Sequence, residues 1–307
     1  MSVKYDMLTI LGPTAGGKTS VAARMAYILN GEIISADSRQ VYRGMDLGTG
    51  KDLEDYVVEG KEIPYHLIDI VDAGYKYNVF EYQQDFLKVY ADLKSRNVFP
   101  VFCGGSGMYL DAVLKGYKLI KVPGNEDLRT ELEAKELEEL IEIFNSFKKP
   151  HNTSDTSSKK RLIRAIEIET YYNEEDDIDD YFPEILSLIV GVKYDRNSRR
   201  KRITERLKLR LDEGMIEEVK QIMDNGVSAE TLMYYGLEYK FITKHIIGEI
   251  SHDEMFKQLE TAIHQFAKRQ MTWFRGMEKK GFEINWLDGY ASMKEKTERI
   301  LDLLNQQ

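Results

Sequence analysis

The tightest constraint on this chain is the octet Gly12-Pro13-Thr14-Ala15-Gly16-Gly17-Lys18-Thr19. It satisfies G-x-x-x-x-G-K-[ST] and follows the apolar run Met7-Leu8-Thr9-Ile10-Leu11, which reads as a buried strand. After it, Val21, Ala22, Met25, Ala26 and Leu29 recur at helical spacing across 20–30. A strand, a glycine-rich turn and a helix in that order make a phosphate-binding loop, because small residues let successive N–H groups converge on phosphate oxygens at a helix N-terminus. Residues 12–17 would cradle a diphosphate, Lys18 would meet its terminal oxygens, and the Thr19 hydroxyl can ligate Mg²⁺. The loop specifies phosphate and leaves the rest of the ligand open.

The flanking pattern gives the fold class. Further strands are predicted at 32–36, 65–71 and 98–102, with a helix across 79–95. Strands alternating with helices imply an α/β architecture, a parallel sheet flanked by helices. After Lys121 the texture changes. A charged amphipathic helix is predicted over 126–147, a polar break over 148–158 and a second helix over 159–172, leading into the acidic run Glu174–Asp180. Buried-strand character returns at 185–192, and the chain beyond Arg196 reads as mostly helical. The expected organisation is a core of residues 1–121 and 184–307 interrupted by a small helical insertion domain, 122–183.

Composition narrows the function. The formal net charge is -9, so any nucleic-acid footprint has to be local, as in the basic run Arg196 to Arg210. The single cysteine, Cys103, excludes an intrachain disulfide and a cysteine-rich zinc site, and suits a reducing, cytoplasmic location. The five histidines lack metal-ligand spacing. No apolar run approaches the ~20 residues of a membrane span, and the first residues lack the apolar stretch of a secretory signal.

The strand after the phosphate-loop helix runs into Ile33-Ile34-Ser35-Ala36-Asp37-Ser38-Arg39-Gln40-Val41-Tyr42, which sets Asp37 at the carboxyl edge of the sheet, where ligands of open α/β sheets bind. The competing reading of Asp37 is a turn cap shared with Ser38. Together with the octet, this segment resembles the tRNA dimethylallyltransferase family. The resemblance continues in Pro64-Tyr65-His66-Leu67-Ile68-Asp69, in Gly104-Gly105-Ser106-Gly107-Met108-Tyr109, in Arg161-Leu162-Ile163-Arg164-Ala165-Ile166-Glu167 and in Asp195-Arg196. It goes on through Arg202-Ile203 with Arg206 and closes with Ala267-Lys268-Arg269-Gln270-Met271-Thr272-Trp273-Phe274-Arg275.

The resemblance implies a P-loop NTPase-like fold. It also implies transfer of a dimethylallyl group from dimethylallyl diphosphate to the exocyclic amine of the adenine 3′ of the anticodon. That amine is a weak nucleophile, and Asp37 matches the family's general base. The P-loop amides, Lys18, Mg²⁺ on Thr19 and Arg206 would stabilise the departing diphosphate. Read without the family, Arg206 is one arginine among many on a solvated helix. Ser106 aligns with a family threonine that contacts the target nucleotide, and Ser38, Arg39 and Gln40 match the segment around the target base. Arg129, Lys160, Arg161, Leu162, Ile163 and Arg164 fall in RNA-contacting stretches, through which the insertion would hold a tRNA anticodon stem-loop. The enzyme is expected to act as a monomer.

Several positions depart from the family pattern. Gly16 stands where serine is common, and Gly48-Thr49-Gly50-Lys51-Asp52 where Gly-Thr-Ala-Lys-Pro is usual. Gly236-Leu237-Glu238-Tyr239 reverses a charge, and Ile263-His264 replaces Thr-Arg. These changes read as drift of the RNA-binding surface around an intact phosphate and base machinery. Three other functions compete: prenylation of a free adenine nucleotide, a P-loop kinase or NTPase acting on a small molecule, and a non-catalytic RNA-binding relative. The basic stretches favour RNA over a free nucleotide, and the lack of a strand ending in a Walker-B aspartate disfavours a kinase.

Overall fold

The computed structural model describes residues 4–117, 119–147, 158–174 and 182–306. Its chain falls into two compact units, Met1–Tyr117 with Pro183–Gln307, and Lys118–Phe182.

The larger unit is organised by a six-stranded sheet. Strand β1 (Met7–Leu11) precedes helix α1 (Lys18–Leu29) and β2 (Glu32–Ala36), and a short hairpin pairs β3 (Val57–Val58) with β4 (Lys61–Glu62). Then come β5 (Tyr65–His66), α2 (Val79–Ser95), β6 (Pro100–Gly104) and α3 (Gly107–Leu114). The sheet resumes with β7 (Ser187–Lys193) and ends with β8 (Asn285–Asp288), in the order β5-β2-β6-β1-β7-β8. All its ladders are parallel. β1 and β6 are buried along their full length, which explains why they read as continuous apolar runs rather than alternating ones.

Local chemistry sets the helix boundaries. Gly17 caps α1 with φ 70°, a left-handed conformation that costs a glycine nothing, and Asn30 closes the helix in the same region. Asn78 and Glu81 form a reciprocal capping box at the start of α2, where the sequence placed it.

Two sequence expectations are corrected. The strand expected over 65–71 stops at His66, because Leu67 and Asp69 both take positive φ (62° and 54°) and only an isolated bridge, Tyr42 to Val71, resumes the pairing. The helix expected over 126–147 is two helices, α4 (Glu126–Glu133) and α5 (Leu137–Phe147), separated at 134–136, where the Glu139 carboxylate accepts the Glu136 N–H at 2.9 Å. Most of the polar break at 148–158 and the acidic run beyond Glu174 lie outside the described residues.

The C-terminal part packs α7 (Arg196–Asp212), α8 (Met215–Asp224), α9 (Ala229–Tyr234), α10 (Leu237–Ile246) and α11 (His252–Lys279) around a second apolar core that includes Tyr42, Met45, Leu207, Val219, Tyr239 and Leu259. Helix α12 (Met293–Asn305) packs Ile300 and Leu304 into the same apolar cluster as α1 and the sheet residues Leu8, Ile10 and Val190.

The smaller unit has its own core. Leu132, Leu140, Phe144, Leu162, Ile163 and Ile166 pack between α4, α5 and α6 (Lys159–Glu174). Its polar anchor is Glu167, only 2% exposed. The Asn125 N–H donates to its carboxylate at 2.6 Å, Arg129 Nε lies at 2.9 Å, and Arg164 completes the set. Burial raises the Glu167 carboxyl, but the Asn125 N–H and the Arg164 and Arg129 guanidinium groups outweigh it and hold it below its ordinary value. The stabilisation is therefore complete above the unfolded carboxylate's pKa of ~4.3 and is lost as pH falls through the lower folded value. Glu167→Gln should cost about 2 kcal/mol at pH 7 in urea denaturation, discounted for the part-exposed arginines, and the difference from the unmutated protein should shrink below about pH 4.

Candidate active site

Parallel pairing brings three strand ends together. Cys103 in β6 lies opposite Ile10 of β1 on one side and Ser35 of β2 on the other. The segments that follow therefore emerge side by side at the carboxyl edge, and residues 14–19, 37–40 and 105–109 line one cavity of about 600 Å³.

The phosphate loop is held from outside. The Gln270 side chain on α11 accepts the Thr14 N–H at 2.8 Å and donates to the Gly105 carbonyl at 2.9 Å, tying the loop to the end of β6. Arg202 Nε donates to the Ala15 carbonyl at 3.1 Å. Lys18 Nζ reaches the Pro13 carbonyl at 3.4 Å. Burial pushes the Lys18 ammonium below the ordinary lysine range, opposed by the nearby Cys103 and Asp37 side chains. Burial likewise pushes the Cys103 thiol up to about 12, so it stays protonated.

Asp37 satisfies both sequence readings at once. Its Oδ1 accepts the Arg39 N–H at 2.9 Å, a local turn cap, while the side chain lines the cavity. The bond fixes one carboxylate oxygen and leaves the other to act. Ser106 is joined to the same segment, since its hydroxyl accepts the Ser38 N–H at 2.9 Å and donates to Ser38 Oγ at 3.2 Å. Gln40 donates to the Gly50 carbonyl at 3.0 Å, linking this segment to the loop at 45–52.

That loop is rigid. One carboxylate, Glu218, accepts the N–H groups of Asp46, Leu47 and Gly48 at 2.9, 2.7 and 3.0 Å, and the Tyr239 hydroxyl at 2.7 Å. Lys51 is buried beneath it, donating to Asp46 at 2.8 Å and to Asp69. Neither Glu218 nor Gln270 stood out in the sequence as a site residue. Gln270 lay inside a recognised motif block, but its two backbone partners lie 256 and 165 residues away, and nothing local points to them.

Of the other residues singled out in the sequence, Arg206 lines the cavity, half-buried, and pairs with Asp52 at 3.1 Å. The insertion residues divide. Lys160 and Arg161 are exposed on α6, Leu162 and Ile163 are buried in the core of the smaller unit, and Arg129 and Arg164 are engaged with Glu167. The departures at 50, 52 and 238 all line the cavity. Ile263 lines it too, whereas His264 faces the Arg200 carbonyl at 3.3 Å.

Phe266, Trp273, Tyr109, Tyr56 and Met108 give the cavity an apolar, aromatic share. Trp273 packs where a Cβ on Gly107 would sit, and its buried indole N–H has no hydrogen-bond partner among the described residues.

Oxygen donors suited to Mg²⁺ are present. The Thr19 hydroxyl makes no hydrogen bond among the described residues and shares the cavity with Asp55. Among the described residues no cluster of three or more His, Cys, Asp or Glu could cage a metal alone. That donor set fits Mg²⁺ held jointly by protein and substrate phosphates, its usual mode. Burial raises the Asp55 carboxyl, against the hydrogen bond it accepts from Ser20.

A phosphate ester lying in the loop would present its other end to Asp37 and Ser106. β6, the strand beside β1, ends in Phe102-Cys103-Gly104 and so supplies no Walker-B carboxylate. Fold and cavity together define a P-loop protein arranged for group transfer. More narrowly, the chain belongs to the IPP transferase family, whose model matches residues 40–277. It is 60% identical over 302 residues to a tRNA dimethylallyltransferase 2 of Phocaeicola vulgatus, covering 98% of each chain. The structure is similar to the full-length tRNA isopentenylpyrophosphate transferase of Bacillus halodurans, with TM-score 0.72, 30% identity and coverage of 98% and 96% of the two chains. The same fold occurs in a eukaryotic dimethylallyltransferase acting on tRNA, with TM-score 0.75, 21% identity and coverage of 92% of this chain and 73% of that one. No helix among the described residues is long and apolar enough to cross a membrane.

If Gln270 preorganises the phosphate loop, Gln270→Ala leaves the Thr14 N–H and the Gly105 carbonyl without their partner. Affinity for inorganic pyrophosphate, measured by calorimetry with Mg²⁺ present, should fall about tenfold with little change in helix content by circular dichroism.

Proposed function

We infer that this chain transfers the dimethylallyl group of dimethylallyl diphosphate to the N6 amine of the adenine 3′-adjacent to the anticodon in tRNA, releasing diphosphate. The observation that carries the reading is the shared cavity, in which the phosphate loop and Asp37 line one space large enough for a prenyl diphosphate and a base. Family membership and the names of the relatives support the same substrates.

The chemistry follows from the residues. The diphosphate lies in the loop Gly12, Pro13, Thr14, Ala15, Gly16 and Gly17, against N–H groups that exclude Pro13, which has none, and Thr14, whose N–H is held by Gln270, with Lys18 and Arg206 on its oxygens. Mg²⁺ held by Thr19 and the phosphates would supply further positive charge against the leaving group. The N6 lone pair attacks C1 of the prenyl chain, the C1–O bond breaks, and its electron pair leaves with diphosphate. The N6 proton passes to the free carboxylate oxygen of Asp37, whose partner oxygen is held by the Arg39 N–H. Ser106 and Ser38, already hydrogen-bonded, offer hydroxyls to the nucleotide, and the aromatic lining accepts the prenyl chain and an unstacked base.

An adenine inside a duplex could not reach this depth, so a single-stranded loop is the fitting substrate. Exposed Lys160 and Arg161 are suited to the phosphates of the anticodon stem, and Arg39 and Gln40 to nucleotides near the target. The enzyme acts as a monomer in the cytoplasm on this reading.

Purified protein, undermodified tRNA, dimethylallyl diphosphate and Mg²⁺ should yield N6-dimethylallyladenosine by nucleoside mass spectrometry, with AMP a much poorer acceptor. Prenylation of AMP in preference to tRNA, or brisk ATP hydrolysis without prenyl transfer, would overturn the assignment. Asp37→Asn should lower turnover by about 10²- to 10⁴-fold while leaving tRNA affinity unchanged in a filter-binding assay. Lost binding with normal turnover of bound tRNA would remove Asp37 as the base.

A further inference from the structure

Arg206 does not approach the cavity unassisted. It sits one turn before Arg210 on α7, and two like charges at that spacing repel. Asp52 bridges them, with Oδ1 2.6 Å from Arg210 Nη2 and Oδ2 3.1 Å from Arg206 Nη2. Arg210 is secured a second time by the Leu47 carbonyl at 2.6 Å. The Arg206 guanidinium lies across the face of Gly50, at φ 75°. A Cβ there would fall onto Arg206 Nη2 and come within 2.9 Å of Arg210 Nη1. Neither Gly50 nor Asp52 is free to drift, because Glu218 and Lys51 lock the loop that carries them. Glu238 faces the same two arginines from α10.

We propose that Gly50 and Asp52 act as one positioning device for Arg206: the glycine makes room for the guanidinium and the carboxylate fixes it on the cavity wall, ready for the diphosphate. The usual family residues at these positions, alanine and proline, could provide neither. An alanine Cβ would occupy the guanidinium's place, and a proline has no group to pair with it. The two departures are therefore coupled through a residue distant in sequence. The device raises affinity for diphosphate by holding Arg206 in its binding pose before the ligand arrives.

This proposal rests on Arg206 being a diphosphate ligand, and its test separates the two claims. Inorganic pyrophosphate binding, by calorimetry with Mg²⁺, is measured for the unmutated protein, Arg206→Ala, Asp52→Asn, Gly50→Ala and the doubles with Arg206→Ala. Asp52→Asn and Gly50→Ala are each expected to weaken binding about tenfold in the Arg206 background and to have almost no effect once Arg206 is alanine. In transfer assays the same two changes should raise KM for dimethylallyl diphosphate and leave KM for tRNA unchanged. The double Gly50→Ala/Asp52→Asn should lose no more than either single change. If Arg206→Ala leaves pyrophosphate binding intact, the diphosphate role of Arg206 fails. If Arg206→Ala weakens binding but Asp52→Asn tightens it, or acts equally with and without Arg206, the positioning device fails and the assignment of Arg206 stands. Asp52→Asn is nearly isosteric at a half-exposed position, so misfolding does not confound it.

Discussion

Everything at the site depends on the parallel pairing of β6 with both β1 and β2. A parallel ladder sends neighbouring chains out of the sheet on the same edge, so the segments after Leu11, Ala36 and Gly104 must diverge within a few residues of one another. At Gly104 the approach is so close that a side chain would run into the Ala36 backbone. The phosphate loop, the carboxylate and the Ser106 hydroxyl thus owe their meeting to register, before any side chain interacts with another. Side-chain bonds then remove the remaining slack: Gln270 between two of the segments, and Ser106 between the other pair.

The electrostatics of the cavity are balanced rather than simply positive. Lys18 and Arg206 share the cavity with Asp37, Asp52, Asp55 and Glu238. A cavity with cations alone would draw the Asp37 carboxylate into an ion pair. Here the cations have other carboxylates to answer them. Asp37 is held by a backbone N–H instead, a bond that orients it without consuming it.

How far the sequence reached depends on the range of the interactions involved. The phosphate loop, β1, β2, α2 and Asp37 were legible because each is specified by neighbours within about ten residues: an apolar run, a glycine turn, a capping box. The strand expected over 65–71 failed because its residues have strand character but a distant lysine, Lys51, claims Asp69 and the backbone turns at Leu67. Gln270 and Glu218 were invisible as site residues for the same reason, as their work is done on backbone groups remote in the chain. Leu162 and Ile163 lay within a motif read as RNA-contacting, yet their burial in the smaller unit's core was written in their apolar character.

The basic run from Arg196 to Arg210 shows why charge in a sequence is not yet charge on a surface. Composition alone makes it one cationic footprint. Helical geometry divides it. Arg202, Arg206 and Arg210, spaced by four, share a face and are occupied by the Ala15 carbonyl, Asp52 and the Leu47 carbonyl. Arg200, Lys201 and Lys208 point elsewhere and are exposed. One helix therefore carries two populations of cations: one row turned to the phosphate loop and the arginine clamp, from exposed Arg202 to buried Arg210, and one exposed and available to a polyanion. For a chain of net charge -9, this partition lets a single element brace the phosphate loop and still present cations to solvent without making the whole molecule basic.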